Sequence, residues 1–158
     1  MEKAKSKGVE IILPTDYVTG SKFGSDAEVG YATDADGIPD SWLGLDCGEK
    51  SIAEFNKAIK SSKTILWNGP AGVFEIPQFA GGSLSMLDAC IEAVKNGSTV
   101  IVGGGDTATC TFLFFPIWSL VVAKAGKESE LSHVSTGGGA SLEYFPPCSS
   151  PLMQITRR

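Results

Sequence analysis

Three stretches of this chain have the composition needed to hold an anion: Trp67-Asn68-Gly69-Pro70-Ala71-Gly72, Gly103-Gly104-Gly105-Asp106-Thr107 and Thr136-Gly137-Gly138-Gly139. Each follows an apolar run and leads toward a helix-forming segment. Glycine removes side chains, so backbone N–H groups can approach a phosphate closely. A helix start beyond the loop adds a partial positive charge. Asp106 could cap such a helix. It could equally position Mg²⁺, which takes one or two carboxylates together with phosphate oxygens. One glycine loop alone reads as a tight turn; three meeting at one sheet edge read as a binding site. Two standard motifs are tested by this pattern. G-x-x-x-x-G-K-[ST] does not occur, which excludes a P-loop NTPase. Gly103-x-Gly105-x-x-Ala108 fits the looser dinucleotide fingerprint, but no acidic residue closes the following strand, and Glu128 and Glu130 fall in a polar turn.

The elements that must carry these loops alternate between strand and helix. Residues 1–8 read as a short helix closed by Gly8, and VEIIL (9–13) reads as a buried strand. Residues 14–50 are rich in Gly, Asp and Pro, with a hairpin ahead of Trp42. Ser51 and Glu54 have capping-box spacing, and Ile52, Phe55 and Ile59 share a helix face. TILWN (64–68) is a strand. Residues 79–96 form a helix with Leu84, Leu87, Ile91 and Val94 on its apolar side, stopped by Asn96-Gly97. STVIV (98–102) and LSHVS (131–135) are strands that lead into the second and third loops. The predicted fold class is α/β: an incomplete three-layer αβα, Rossmann-like domain with a mainly parallel sheet.

Composition narrows the function further. The chain has 158 residues, is 42% hydrophobic and carries a formal net charge of −5. That acidity argues against nucleic acid and against an anionic membrane surface as partners. Cys47, Cys90, Cys110 and Cys148 are scattered, no C-x-x-C occurs, and His133 is the one histidine. A zinc site has no support, and the cysteine usage fits the reducing cytoplasm. Phe112–Val122 is too short for a membrane span and is interrupted by Pro116 and Ser119.

The loops and their flanks closely resemble those of the phosphoglycerate kinase family. The matching segments are LPTDYVTGSKF (13–23), GIPDSWLGLDCG (37–48), ILWNGPAGVFE (65–75), VGGGDTAT (102–109) and LSHVSTGGGASLE (131–143). The resemblance implies a phosphotransferase of glycolysis and gluconeogenesis, usually monomeric and cytoplasmic. Its reaction passes a phosphoryl group between ATP and the carboxylate of 3-phosphoglycerate. Mg²⁺ with ATP or ADP would be the cofactor set, held by the C-terminal half of the family's two-domain structure. By the same resemblance, Phe23, Gly44 and Leu45 line an adenine pocket, and Asn68, Gly69, Ala71 and Phe74 shape the nucleotide cleft. Glu75 accepts hydrogen bonds from the ribose, Asp106 positions Mg²⁺, and Thr107 binds phosphate oxygens. Gly103, Gly104, Gly105, Gly137, Gly138 and Gly139 present N–H groups to the transferring phosphoryl group. The carboxylate acceptor is already ionised, so positioning and charge neutralisation carry the catalysis. His133 is expected to be structural.

Three departures from the family pattern temper that expectation. The resemblance covers part of the nucleotide-binding domain (1–143), without the phosphoglycerate-binding domain or its basic residues. Binding of 3-phosphoglycerate and turnover are therefore expected only when the missing part is supplied. CTFLFFPIWSLV (110–121) interrupts a helix of the family with Pro116 inside it. It reads as translated noncoding sequence rather than as a partner- or membrane-binding loop. Residues 144–158 diverge, contain Pro146-Pro147, and are predicted to be a disordered tail. Two alternatives stay open beside the enzyme: a noncatalytic nucleotide-binding fragment, and a misprocessed, truncated product.

Overall fold

The computed structural model describes residues 1–102, 126–134 and 154–156. The chain opens with helix α1 (Glu2–Ser6), which buries no residue and ends where Gly8 takes φ +65°. Strands β1 (Asp16–Gly20), β2 (Val29–Thr33) and β3 (Leu43–Cys47) form an antiparallel sheet in the order β2-β1-β3. The register between β1 and β3 shifts at Val18/Thr19. Helix α2 (Glu49–Ser61) then leads to β4 (Thr64–Trp67). A 3₁₀ turn (Pro77–Phe79) precedes helix α3 (Gly81–Lys95) and β5 (Thr99–Val102). A second 3₁₀ turn (Glu128–Glu130) precedes β6 (His133–Val134), and β7 (Gln154–Thr156) comes last. The second sheet has the order β6-β5-β4-β7.

The strands that feed the glycine-rich loops are the parallel ones. β4 pairs with β5, and β5 with β6, both parallel. Ile65, Trp67, Val100 and Val102 are all 0% exposed, and burial of each aliphatic side chain of this kind contributes about 1.5–3 kcal/mol. They pack against Ile59 of α2 and Met86, Leu87, Cys90 and Ile91 of α3. A smaller cluster of Ala27, Leu45, Ile76 and Phe79 joins the antiparallel sheet to the 3₁₀ turn. α3 also anchors the approach to β6: Lys95 pairs with Glu130 at 2.9 Å, and Lys127 pairs with Asp88.

The architecture is α/β as expected, with differences in detail. Instead of one mainly parallel sheet there are two sheets, one wholly antiparallel and one parallel along β6-β5-β4. VEIIL (9–13) is not a strand; Val9, Ile11 and Leu13 are 54%, 41% and 48% exposed. Its β-branched composition favours extension, but a strand exists only where a neighbour accepts its hydrogen bonds. α2 starts at Glu49, so Ser51 lies inside the helix rather than at its cap. In α3, Leu84 is 46% exposed, and Ser83 and Met86 occupy the buried side with Leu87 and Ile91. Within the predicted tail, Gln154–Thr156 pair as β7 with β4, antiparallel, with Ile155 opposite Ile65. Without β7 the far edge of β4 would expose backbone groups, and an extended segment that reaches it gains a ladder of hydrogen bonds. Residues 110–121 lie outside the described residues.

Candidate functional site

The three loop-bearing strands end level with one another. Trp67 is the register partner of Val102, and Val102 that of Val134. Because β4, β5 and β6 run parallel, their carboxyl ends share one sheet edge, the position at which open α/β sheets bind ligands. Of the three loops, the one after Trp67 is described. Gly103, Gly104, Gly105, Asp106, Thr107, Gly137, Gly138 and Gly139 lie outside the described residues.

The Asn68–Glu75 segment is tied down at several points. The Trp67 indole N–H donates to the Gly69 carbonyl at 3.0 Å, and Gly69 itself has φ +126°, a conformation that glycine tolerates. The Ala71 N–H donates to the Ser83 hydroxyl at 3.1 Å. The Val73 N–H donates to the Leu45 carbonyl at 2.8 Å, and the Phe74 N–H to the Gly72 carbonyl at 3.0 Å. The bond from Val73 joins the loop directly to β3, which carries Gly44 and Leu45. The expected adenine wall and the expected cleft loop are thus neighbours. Gly44 is exposed, with the Ile38 Cδ1 atom 2.9 Å from where a β-carbon would stand, so any side chain there would displace Ile38. Leu45 is buried with Phe79 and Ile76. Phe23 is 67% exposed in the turn after β1, and Glu75 is exposed at the end of the loop. Asn68, Gly69 and Ala71 are half-buried, whereas Phe74 is 4% exposed and belongs to the main core. Phe74 can therefore shape the loop only from beneath.

Sequence reasoning passed over Asp46. This aspartate is 5% exposed, between Leu45 and Cys47 in β3. One carboxylate oxygen accepts the Cys47 N–H and the other the Gly82 N–H, both at 2.8 Å. Desolvation raises its pKa above the ordinary value, and the N–H donors of Gly82, Cys47 and Gly81 oppose that rise. Its charge faces the first turn of α3, where the helix macrodipole favours an anion. The Gly82 N–H at the start of α3 is consequently satisfied from within. The sequence carries half of the signal, one acid inside the apolar strand LGLDC, but the helix start that meets it, at Gly82, lies 36 residues away.

Asp16 does the same for α2. Its carboxylate accepts the Lys50 N–H at 3.0 Å and the Ser51 N–H at 2.8 Å, and the Ser51 hydroxyl also donates to it. Desolvation raises the Asp16 pKa, but the Ser51 hydroxyl and the two backbone donors outweigh it, and the net shift is downward.

No group of three or more His, Cys, Asp or Glu side chains is arranged to hold a metal among the described residues. Cys47 and Cys90 are buried, with thiol pKa values raised by burial to about 11 and about 12 respectively. Neither is a nucleophile at neutral pH. No helix among the described residues is long and apolar enough to cross a membrane.

Comparison with known proteins agrees with this geometry. The family profile of phosphoglycerate kinase matches residues 1–146. The phosphoglycerate kinase of Yarrowia lipolytica is 62% identical over 145 residues, covering 92% of this chain and 32% of that protein. The corresponding protein of Schizosaccharomyces pombe is 59% identical with the same coverage. Phosphoglycerate kinase from Coxiella burnetii superposes with a TM-score of 0.76 at 32% identity, over 90% of this chain and 33% of that one. The Pyrococcus horikoshii enzyme superposes at 0.64 with 22% identity, a likeness of fold. This chain spans about a third of the length of the relatives it matches. With its family profile matching residues 1–146 and relatives 62% and 59% identical over 92% of its length, the chain belongs to the phosphoglycerate kinase family.

Proposed function

We propose that this chain is the magnesium-nucleotide-binding part of a phosphotransferase that moves a phosphoryl group between ATP and the carboxylate of 3-phosphoglycerate. The observation that carries the proposal is the level ending of β4, β5 and β6 at Trp67, Val102 and Val134. From that common edge the three glycine-rich segments set out, and backbone N–H groups from successive turns would converge on the phosphates. Phe23, Gly44 and Leu45 form the adenine side in this reading. Asn68, Gly69 and Ala71 shape the cleft, Phe74 supports their loop from beneath, and Glu75 receives the ribose hydroxyls. Asp106 would hold Mg²⁺, whose positive charge would offset that of the phosphates. Thr107, Gly103–Gly105 and Gly137–Gly139 hold the transferring group. The setting is cytoplasmic. Phosphoglycerate binding and turnover belong to the whole family architecture, of which this chain spans about a third, so the chain by itself binds nucleotide without turning it over.

Calorimetric titration with Mg-ADP tests the reading directly. Saturable binding to the wild-type chain, lost in Asp106→Ala, is expected. No heat from the wild type would end the proposal. A coupled assay on the chain alone should show no turnover above background; rates like those of a full-length relative would overturn the division between binding and catalysis.

A further inference from the structure

We propose that Asp46 is a positioning residue of the nucleotide site, holding the Gly69–Val73 segment in place through the first turn of α3. The inference rests on the nucleotide-binding reading above and names the residue that fixes the site's geometry. Asp46 is buried, so it acts through the residues it holds and not by touching the ligand.

The linkage runs through named contacts. One Asp46 oxygen accepts the Gly82 N–H at 2.8 Å, which fixes the start of α3 against β3. The next residue, Ser83, is 0% exposed, and its hydroxyl accepts the Ala71 N–H at 3.1 Å. Two residues on, the Val73 N–H returns to β3 at the Leu45 carbonyl. Loop, helix start and strand thus form a closed circuit with the carboxylate at its centre.

The glycines around it are explained by the same residue. A β-carbon on Gly72 would stand 2.4 Å from the Asp46 Oδ1 atom and 2.7 Å from the Leu45 carbonyl oxygen. One on Gly82 would also stand 2.4 Å from Oδ1, and 3.1 Å from the Ala71 β-carbon. Both glycines therefore exist to admit the carboxylate. Among the described ion pairs none involves Asp46. Its charge is met by backbone donors and by the helix dipole. Each oxygen has a separate donor. An asparagine has one acceptor oxygen, so its amide nitrogen would face an N–H and release either Cys47 or Gly82. A glutamate is longer than the space the two glycines leave.

The test compares wild type, Asp46→Asn and Ser83→Ala with Ile59→Val, a core change in α2 that lowers stability without removing a hydrogen bond of this circuit. Affinity for Mg-ADP is measured by calorimetry at a temperature where all four are folded. Amide exchange is followed at Ala71, Val73 and Gly82. Asp46→Asn should weaken Mg-ADP by about tenfold, the scale of one lost charge-assisted hydrogen bond. It should also speed exchange at Gly82 and Ala71. Ile59→Val should keep its affinity within about twofold, as an uncoupled site would. Should Asp46→Asn fail to fold, Ser83→Ala breaks the same circuit without disturbing a buried charge and must weaken binding in the same direction. Wild-type affinity in folded Asp46→Asn or Ser83→Ala overturns the proposal. If the wild type itself binds no Mg-ADP, the nucleotide reading falls; unchanged exchange at Ala71 in Asp46→Asn would then sink the positioning role independently.

Discussion

Asp16 and Asp46 perform one task in opposite electrostatic settings. Each caps a helix from a distant strand, yet hydrogen bonding lowers the pKa of Asp16 while burial raises that of Asp46. A carboxylate with a lowered folded-state pKa adds stability above its unfolded value, and that stability is lost as pH falls through the folded value. A raised one works the other way: its contribution is present at low pH and is lost as pH rises through the folded value. Asp16→Asn should thus cost about 1 kcal/mol at neutral pH, the usual scale of a lost cap. The gap to wild type should close as pH drops below the ordinary carboxylate value of 3.8. For Asp46→Asn the gap should widen as pH is lowered toward 3.8. Urea unfolding at several pH values reads both slopes, and parallel slopes would contradict the assignment. The buried thiols give a further prediction. Cys47 and Cys90 should resist alkylation at pH 8 in the folded chain and react once it is unfolded, as peptide mapping can show. Neither cap was legible in the sequence, because each joins residues 35 or 36 positions apart. Local patterning reports what a residue does to its neighbours in the chain; it cannot report a partner brought in by the fold.

At the scale of elements, β4, β5 and β6 were legible because β-branched apolar runs closed by glycine or polar residues are a local signal. VEIIL carries the same signal and is not a strand, since pairing is a property of two segments. α3 offers a sharper test of the packing around Asp46. Replacing a helical glycine by alanine ordinarily adds up to about 1 kcal/mol of stability. At Gly81 a β-carbon would lie 3.6 Å from Asp46, an ordinary contact, so Gly81→Ala should raise the urea midpoint. At Gly82 the corresponding distance is 2.4 Å, and Gly82→Ala should lower stability by about 1–3 kcal/mol through overpacking. Adjacent substitutions of opposite sign are the expected outcome; equal shifts would show that the carboxylate moves aside freely.

For the whole molecule, the question is how it presents apolar surface. Val9, Ile11 and Leu13 line one exposed segment, and Tyr31 is 78% exposed on the edge strand β2. Exposure of large apolar side chains favours association. Val9→Lys combined with Ile11→Lys should reduce self-association in light scattering and leave the urea midpoint within about 0.5 kcal/mol equivalent, as for surface substitutions. A larger fall in stability would mean that the segment packs in solution. The family and its α/β class were legible at this scale, because five ordered motifs carry them. The separate antiparallel sheet and β7 were not, since both depend on which strand edges meet in space.

The Trp67 indole is fully buried and donates to the Gly69 carbonyl. A natural fluorophore is therefore wired to the loop expected to shape the nucleotide cleft. In a background where Trp42 and Trp118 are replaced by phenylalanine, its emission would follow that loop's motion in real time without any attached dye.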